Sequence, residues 1–494
     1  MKVMSKVYLI GAGPGDEELL TLKGKRILGK CNAVLYDRLA NDSLLKYLDE
    51  KCKIYYCGKE PGCHYKNQQE INDMLVTLAR EGNTVCRIKG GDPYIFGRGG
   101  EEALRLENEK IEFEVIPGIT SAIAVLNYAG IPVTHRGISQ SFHVFTGQSA
   151  EKLDINWESV AKLTGTLIFL MGLKNIEVIT NSLIDNNKDS ECPCAVIMSG
   201  TTSNQKKIVG TLSNICSKVA VSGLKSPCII VVGWVVTLND KLNWYEKKPL
   251  FGKNICITRS KEQNVEISEK LLDLGAQVTA INSIKVVDTS KNLMDYIEKF
   301  SCYNYVVFTS VNGANLFFKY LKENEYDIRN IRGKVCAIGP ATAEAIRGKG
   351  IMPQIIAKQF VTESLLIELK NQVKPGDKIL IPGSSSGREY LGEELRKLQC
   401  SVDEVPIYEI GEGTLQNEGT FDNVDIVIFT SPSTVKNMIS MLGINRIKEK
   451  KCIAIGPITG EELNKNDINY SVCDEYSSDG IIKNLLQCEG EKHD

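Results

Sequence analysis

Short apolar runs alternate with amphipathic stretches along the first half of the chain. The runs KVYLI (6–10), NAVLYD (32–37), NTVCRIKG (83–90), SFHVFTG (141–147), TLIFLMG (166–172), CAVIMSG (194–200) and PCIIVVGWVV (227–236) read as buried strands. Between them, EELLTLKGKRILGK and NQQEINDMLVTLAREG repeat leucine and isoleucine at three- and four-residue spacing, the stripe of a helix packed on one face. This alternation predicts an α/β architecture of helices layered on sheets. At 239–252, NDKLNWYEKKPLFG, charges, a proline and a glycine break the pattern, and the stretch reads as a connection between domains.

The second half contains an internal repeat. IVIFTSPSTVKNM (426–438) echoes YVVFTSVNGANLF (305–317), and CIAIGPITGEEL (452–463) echoes CAIGPATAEAI (336–346). The FTS elements stand 121 positions apart and the IGP elements 117, so two similar lobes each present the same two loops. Each loop follows a β run and opens a helix, where free backbone N–H groups can receive anionic oxygens. A cleft between two lobes is the expected site.

A length of 494 residues suggests about three domains and permits two to four. Lys and Arg number 59 against 61 Asp and Glu, a net charge of -2, so no global basic excess draws the chain to nucleic acid. The N-terminal apolar run is too short for a signal peptide, and no stretch approaches the length of a membrane span. Sixteen cysteines without an export signal fit a cytoplasmic protein whose thiols are mostly small core residues. Cys52, Cys57, Cys63 and His64 match no zinc module, and Cys192 and Cys194 form no CxxC pair, so no metal is expected.

GAGPGD follows the first strand and invites a dinucleotide-fold reading with Asp37 as ribose acid. Gly11, Gly13 and Gly15 leave single-residue gaps, however, and depart from the GxGxxG fingerprint. Asp16 suits a helix N-cap, and Glu17 and Glu18 suit the positive end of that helix. The run RIKGGDPYIFGRGGEE (87–102) is too rich in glycine for a regular element and reads as a loop built for close approach to a ligand. PGITSAIAVLNYAGIPVTHR (117–136) follows, with Thr120 or Ser121 as N-cap of an alanine-rich helix.

In this order, GAGPGDEELLTLKG, LYDRL, IKGGDPYIFGRGGEE, PGITSAIAVLNYAGIPVTHR, FLMG and SGTT resemble the uroporphyrinogen-III C-methyltransferases, members of the tetrapyrrole methylases. The similarity covers about residues 5–245. It implies two α/β subdomains with S-adenosylmethionine in the cleft between them, and a homodimer through this half. The family's cofactor contacts fall on Pro14, Gly90, Gly91, Asp92, Ile95, Thr120, Ser121, Met171 and Gly200. Apart from the resemblance, Met171 reads as a strand-end core residue. Asp37 and Lys59 match the family's proton acceptor and donor. A carboxylate beside a pyrrole N–H can orient it and stabilise the cationic ring that carbon methylation creates, with base chemistry as a further option. Lys59 suits binding a substrate carboxylate as well. Arg38, Arg87, Arg98 and Arg136 are candidate partners for the substrate's carboxylates, or members of structural ion pairs. His135 and His143 read as packing or loop residues.

From GKNICITRS (252–260) to about residue 485, the chain is similar to the uroporphyrinogen-III synthases, through ITR, FTSVNGA, IGPATA, IPGSSSGREYL, VPIYEI, FTSPST and IGPIT. That resemblance implies two α/β lobes, 253–283 with 408–485 and an inserted 284–407. Thr342, Tyr408 and Thr459 match positions held to assist by hydroxyl hydrogen bonding, although Thr342 and Thr459 serve equally as caps after Gly-Pro. Arg259, Thr309, Ser310, Ser384, Ser385, Ser386 and Arg388 are candidate acid-binding groups. The expected division is 1–245 and 246–494. The two activities implied are closure of hydroxymethylbilane with inversion of ring D, then two methylations of the product to precorrin-2, feeding siroheme or cobalamin. The partners are tetrapyrroles, with neither nucleic acid nor membrane. The competing reading is an RNA or protein methyltransferase joined to a nonenzymatic binding module.

Overall fold

The computed structural model describes residues 5–37, 39–49, 51–58, 67–148, 155–258, 265–357, 362–385, 387, 390–413 and 418–490. Four sheets follow one another. The first contains β1 (Val7–Gly11), β2 (Ala33–Tyr36), β3 (Lys53–Tyr56), β4 (Val85–Lys89) and β5 (Phe113–Ile116), in the order β3-β2-β4-β1-β5. Every pairing in it is parallel. Parallel strands need crossovers, and the helices supply both covers. Ile71, Leu75 and Ala79 of the helix Gln68–Arg80 pack on Val7, Leu9 and Leu35, while Ile10, Val34 and Ile88 face Ile27 and Leu28 of the helix Leu22–Leu28. A capping box of Asn67 and Glu70 starts the longer helix. Cys31 and Cys86 are bonded to each other in this core, a pairing that composition did not indicate, and the other described cysteines are free.

The second sheet holds β6 (Phe142–Thr146), β7 (Thr166–Leu170), β8 (Pro193–Met198), β9 (Lys206–Thr211) and β10 (Cys228–Val232), ordered β6-β7-β10-β8-β9. β10 runs antiparallel to both β7 and β8. Three strands escaped the hydrophobic pattern: KIYY of β3 lies at a sheet edge, FEVI of β5 is half-buried, and KKIVGT of β9 is a lysine-led edge strand.

In chain order the second half contains β11 (Asn254–Ile257), β12 (Gln277–Ala280), β13 (Ile284–Asp288), β14 (Tyr305–Phe308), β15 (Lys334–Ala337), β16 (Ile355–Ile356), β17 (Lys378–Ser384), β18 (Ser401–Glu412), β19 (Ile426–Phe429), β20 (Lys451–Ala454) and β21 (Tyr470–Val472). They form one sheet ordered β12-β11-β19-β20-β21 and another ordered β13-β18-β17-β14-β15-β16. The repeat is thereby explained, because β14–β15 and β19–β20 are equivalent parallel neighbours. The lobe boundary expected at 407 shifts: β18 continues through Glu412, held by its antiparallel ladder with β13. Tyr408 therefore belongs to the inserted lobe.

The connection at 239–252 is packed rather than extended through solvent. Tyr245 and Leu250 are buried, and Tyr128, Trp244, Tyr245 and Phe251 meet edge to face. Ser203 Oγ donates to Gln277 Oε1 at 3.0 Å across the two halves. Beside this contact, a cavity of about 220 Å³ is lined by Asp16, Glu17, Glu18, Asp273, Tyr128 and Trp244 among others. Its acidic wall is unsuited to a polycarboxylate. Burial, with Asp16 and Asp273 close by, pushes the Glu18 carboxyl above the ordinary range.

Candidate active sites

The first cleft grows from the C-terminal edge of the first sheet, where the neighbours β4, β1 and β5 release their loops side by side. Ala12 N–H donates to Lys89 O at 2.8 Å, and Gly13 and Gly91 exchange backbone hydrogen bonds at 3.2 and 2.7 Å. The third loop enters at Gly118, where an added Cβ would stand 2.2 Å from Gly91 O and 2.6 Å from Gly11 Cα. Glycine is required here by contact, and Gly91 also sits at φ +69°, where a side chain is strained. Asp92 locks the assembly: Oδ2 accepts from Gly118 N–H at 3.0 Å and Oδ1 from Tyr94 N–H at 2.8 Å.

The second sheet supplies the facing loops. Since β7 and β8 both oppose β10, Met171 and Gly200 leave on one edge. Met171 is about half exposed at φ 59°, rather than a core residue. A Cβ on Gly200 would stand 2.3 Å from Val125 Cγ1, on the helix Ser121–Tyr128 that Thr120 caps. A Cβ on Gly15 would stand 2.7 Å from Thr202 Cγ2, and Asp16 N–H donates to Thr201 Oγ1 at 3.1 Å while Tyr128 O–H donates to Asp16 Oδ2 at 2.8 Å. Pro14, Gly90, Gly91, Asp92, Thr120 and Gly200 are thus brought into one system of touching loops. Ile95 projects from it, 44% exposed.

Asp37 follows β2, the strand beside β4. The LYDRL segment lies on the glycine turn, since a Cβ on Gly90 would meet Leu39 Cβ at 2.7 Å. Asp37 Oδ1 accepts from Leu39 N–H at 3.1 Å, and Oδ2 accepts from Arg87 Nη2 at 2.7 Å. Arg87 itself is 3% exposed. Its remaining contacts are Nε to Glu102 Oε1 at 3.3 Å and Nη1 to Ile88 O at 3.0 Å. Its proposed role as a substrate contact is therefore replaced by the structural alternative: it holds Asp37 from below. Arg98 is exposed and paired with Glu101 at 2.8 Å, and Arg136 is exposed. Lys59, Arg38, Cys63 and His64 lie outside the described residues.

Lys89 and Glu102 received no role from sequence, yet both are buried beneath Asp37. Lys89 Nζ donates to Glu102 Oε1 at 2.7 Å. Burial lowers the Lys89 pKa, and Arg87 nearby adds to this, with Glu102 opposing. The signal was available: Arg87 and Lys89 alternate on one face of a wholly buried strand, an arrangement that demands a buried anion.

In the inserted lobe, the FTS and IGP loops are neighbours because β14 pairs with β15. Ser310 caps the helix Val311–Glu323, accepting from Gly313 N–H at 2.9 Å, and shares a 2.9 Å hydrogen bond with Tyr408 Oη. Thr309 precedes it, half-buried. Ser384 stands opposite Tyr408 in the β17–β18 ladder, and Ser385 N–H donates to Tyr408 O at 2.9 Å. One cluster thus gathers Thr309, Ser310, Ser384, Ser385 and Tyr408. Thr342 lies in the first turn of the adjacent helix Pro340–Arg347, and Thr459 in the equivalent turn of Pro457–Asn464 in the other lobe. Both helices start at a glycine with no side-chain cap, so neither threonine serves as a cap. Both side chains are buried, and no hydrogen bond reaches either hydroxyl among the described residues. Arg259, Ser386 and Arg388 lie outside the described residues. Among the described residues, no group of three or more His, Cys, Asp or Glu could hold a metal, and no helix is long and apolar enough to cross a membrane.

Fold and sites together define a two-part α/β protein with a loop-lined cleft in one half and a repeated, hydroxyl-bearing lobe pair in the other. A family model described as tetrapyrrole (corrin/porphyrin) methylases matches residues 6–216, and one described as uroporphyrinogen-III synthase HemD matches 265–483. A porphyrin biosynthesis protein HemD from Ruminiclostridium josui is 35% identical over 98% of each chain. A uroporphyrinogen-III C-methyltransferase from Bacillus subtilis is 39% identical over 70% of this chain and 72% of its own. A solved uroporphyrin-III C-methyltransferase from Thermus thermophilus is 38% identical, covering 49% of this chain and 97% of that one, with a TM-score of 0.41. The chain belongs to the family that joins a tetrapyrrole methylase domain to a uroporphyrinogen-III synthase domain, and so to tetrapyrrole biosynthesis.

Proposed function

We propose that the second half closes hydroxymethylbilane to uroporphyrinogen III with inversion of ring D. The first half then methylates that product twice, at ring carbons 2 and 7, to give precorrin-2, on a route to siroheme or cobalamin. Similarity along the whole chain supports both activities, and the synthase product is the methylase substrate. The single observation that carries the methylase reading is a donor-held, partly open carboxylate, Asp37, lying against the glycine turn.

The glycine loops fit S-adenosylmethionine: three backbone segments approach closer than any side chain permits, leaving main-chain polar groups beside an Asp-locked turn. Pro14, Gly90, Gly91, Asp92, Ile95, Thr120, Ser121, Met171 and Gly200 would hold it. When bound, it supplies a methyl group activated by a sulfonium centre. Asp37 accepts the N–H of the reacting pyrrole and stabilises the positive charge that grows on the ring, a charge discharged when the methylated macrocycle loses a proton to solvent. Lys59 donates a proton or binds a carboxylate, and the exposed Arg98 and Arg136, with Arg38, receive the substrate's acid arms.

In the second half, the uncapped turns at Gly339 and Gly456 offer backbone N–H groups to carboxylates. The hydroxyls of Thr342, Thr459 and Tyr408 bond the reacting chain as water leaves, and much of the acceleration comes from holding it in the closing geometry. Chromatography of the products from hydroxymethylbilane tests both halves. The asymmetric uroporphyrinogen should form without S-adenosylmethionine and its dimethylated derivative with it. The symmetric isomer alone, unmethylated, would refute the reading.

A further inference from the structure

Four charged groups meet beneath the first cleft, and only one of them opens to it. Arg87 is 3% exposed, Lys89 4% and Glu102 0%, whereas the Asp37 side chain is 26% exposed. Two cations and two anions balance. Glu102 Oε1 gathers Arg87 Nε, Lys89 Nζ and Gln68 Nε2 at 3.3, 2.7 and 3.1 Å. Its other oxygen, Oε2, is buried with no partner among the described residues.

Burying ions this way is a poor route to stability, because desolvation offsets the attraction and a well-packed apolar cluster serves as well or better. The arrangement does something an apolar cluster cannot. It fixes the guanidinium on three sides, through Glu102, the Ile88 carbonyl and Asp37, so the carboxylate cannot swing without breaking a 2.7 Å charge-assisted bond. We propose that Glu102 and Arg87 are positioning residues for methyl transfer, acting through Asp37 to hold its carboxylate in place as a hydrogen-bond acceptor for the pyrrole N–H. A carboxylate with a donor on each oxygen keeps further lone pairs for another N–H. Lys89, on the same Glu102 oxygen as Arg87, completes the charge balance. The assignment rests on the methyl-transfer reading of this cleft.

The test is a double-mutant cycle in the full-length chain, read by transfer of labelled methyl from S-adenosylmethionine to uroporphyrinogen III. Asp37→Asn tests the reading itself: undiminished transfer removes Asp37, and with it any role acting through Asp37. Given a loss in Asp37→Asn, Arg87→Met should lower kcat about 30-fold with little change in the porphyrinogen KM, and Arg87→Lys, which keeps the charge but not the three-sided hold, should recover only part of it. In the Asp37→Asn background, Arg87→Met should cost less than about twofold, because its only route is already cut. Effects that multiply in the double variant, or a raised KM at unchanged kcat, would overturn the positioning role and leave the reading of Asp37 standing. S-adenosylhomocysteine affinity by calorimetry reports whether the domain is intact. If Arg87→Met loses that binding, Glu102→Gln, which keeps the shape, decides: a loss of about fivefold in kcat that vanishes beside Asp37→Asn supports the proposal, and one that multiplies with it refutes it.

Discussion

Among the described residues, each half of this chain places a buried glutamate between two cations, and the two placements differ in consequence. Glu102 sits under the methylase cleft between Arg87 and Lys89. Glu489 sits at the periphery of the synthase half, where Lys253 at 2.6 Å and Lys451 at 3.3 Å tie the last helix, Ser478–Gly490, to the sheet. Among the described residues, the synthase loops present neutral groups: Ser310 with Tyr408, and the hydroxyls of Thr342 and Thr459, to which no described residue hydrogen-bonds. The difference matches the chemistry proposed for each. A ring that becomes cationic benefits from one oriented negative charge, whereas a cyclisation that loses water can use hydroxyl donors to the departing oxygen and backbone N–H groups to the acid arms.

The largest effect expected is the most direct way to break this contrast. Asp37→Asn should slow methyl transfer about 100- to 1,000-fold, the range for removing an oriented electrostatic group. Synthase turnover in the same chain should stay within about twofold, since Asp37 has no part in the second fold's core. A parallel fall in both would show that the clefts are not separable. Next, Gly118→Ala should weaken S-adenosylhomocysteine binding by at least about tenfold in calorimetry, because a Cβ 2.2 Å from the Gly91 carbonyl forces the loops apart.

Smaller effects sharpen the neutral side. Thr459→Val and Thr342→Val should each lower synthase turnover by about three- to tenfold while leaving the melting temperature of that half unchanged or slightly raised. The reason is that neither hydroxyl has a partner among the described residues to leave unsatisfied. A melting temperature lowered by several degrees, with turnover intact, would make them structural.

These contrasts were only partly legible in the chain. The α/β layering and the lobe repeat were, because buried parallel strands write themselves as apolar runs and duplicated loops keep their spacing. The edge strands β3 and β9 were not, since an edge carries the lysines and half-exposed residues that periodicity scores as polar. At the site, glycine density revealed the loops around Gly91 and Gly118, yet Arg87 was open to either reading. An arginine in a motif looks the same whether it meets a ligand or a neighbour, and only the burial of β4 on both faces separates the two. Glu102 lay hidden for a related reason: Glu101 beside it is exposed, and two adjacent glutamates opening a helix read as favourable charges near its N-terminus.

Glu489→Gln gives the smallest effect and the closest test of the pair of glutamates. Burial alone would raise the Glu489 carboxyl, but hydrogen bonds from Lys253 and Lys451 outweigh it and bring the group below its ordinary range. A depressed carboxyl stabilises the folded state above its unfolded pKa, near 4.3, and the benefit disappears as pH falls through the folded value. The wild-type synthase half should therefore melt above the Glu489→Gln chain at pH 7, by the equivalent of about 1 kcal/mol. That gap should narrow progressively below about pH 4.3. Turnover at pH 7 should be unaffected, because Glu489 and its two lysines anchor a helix end to the beginnings of β11 and β20. A loss of turnover, or a gap that widens on acidification, would mean that this half also steers its chemistry through buried charge, and the contrast with Glu102 would fail.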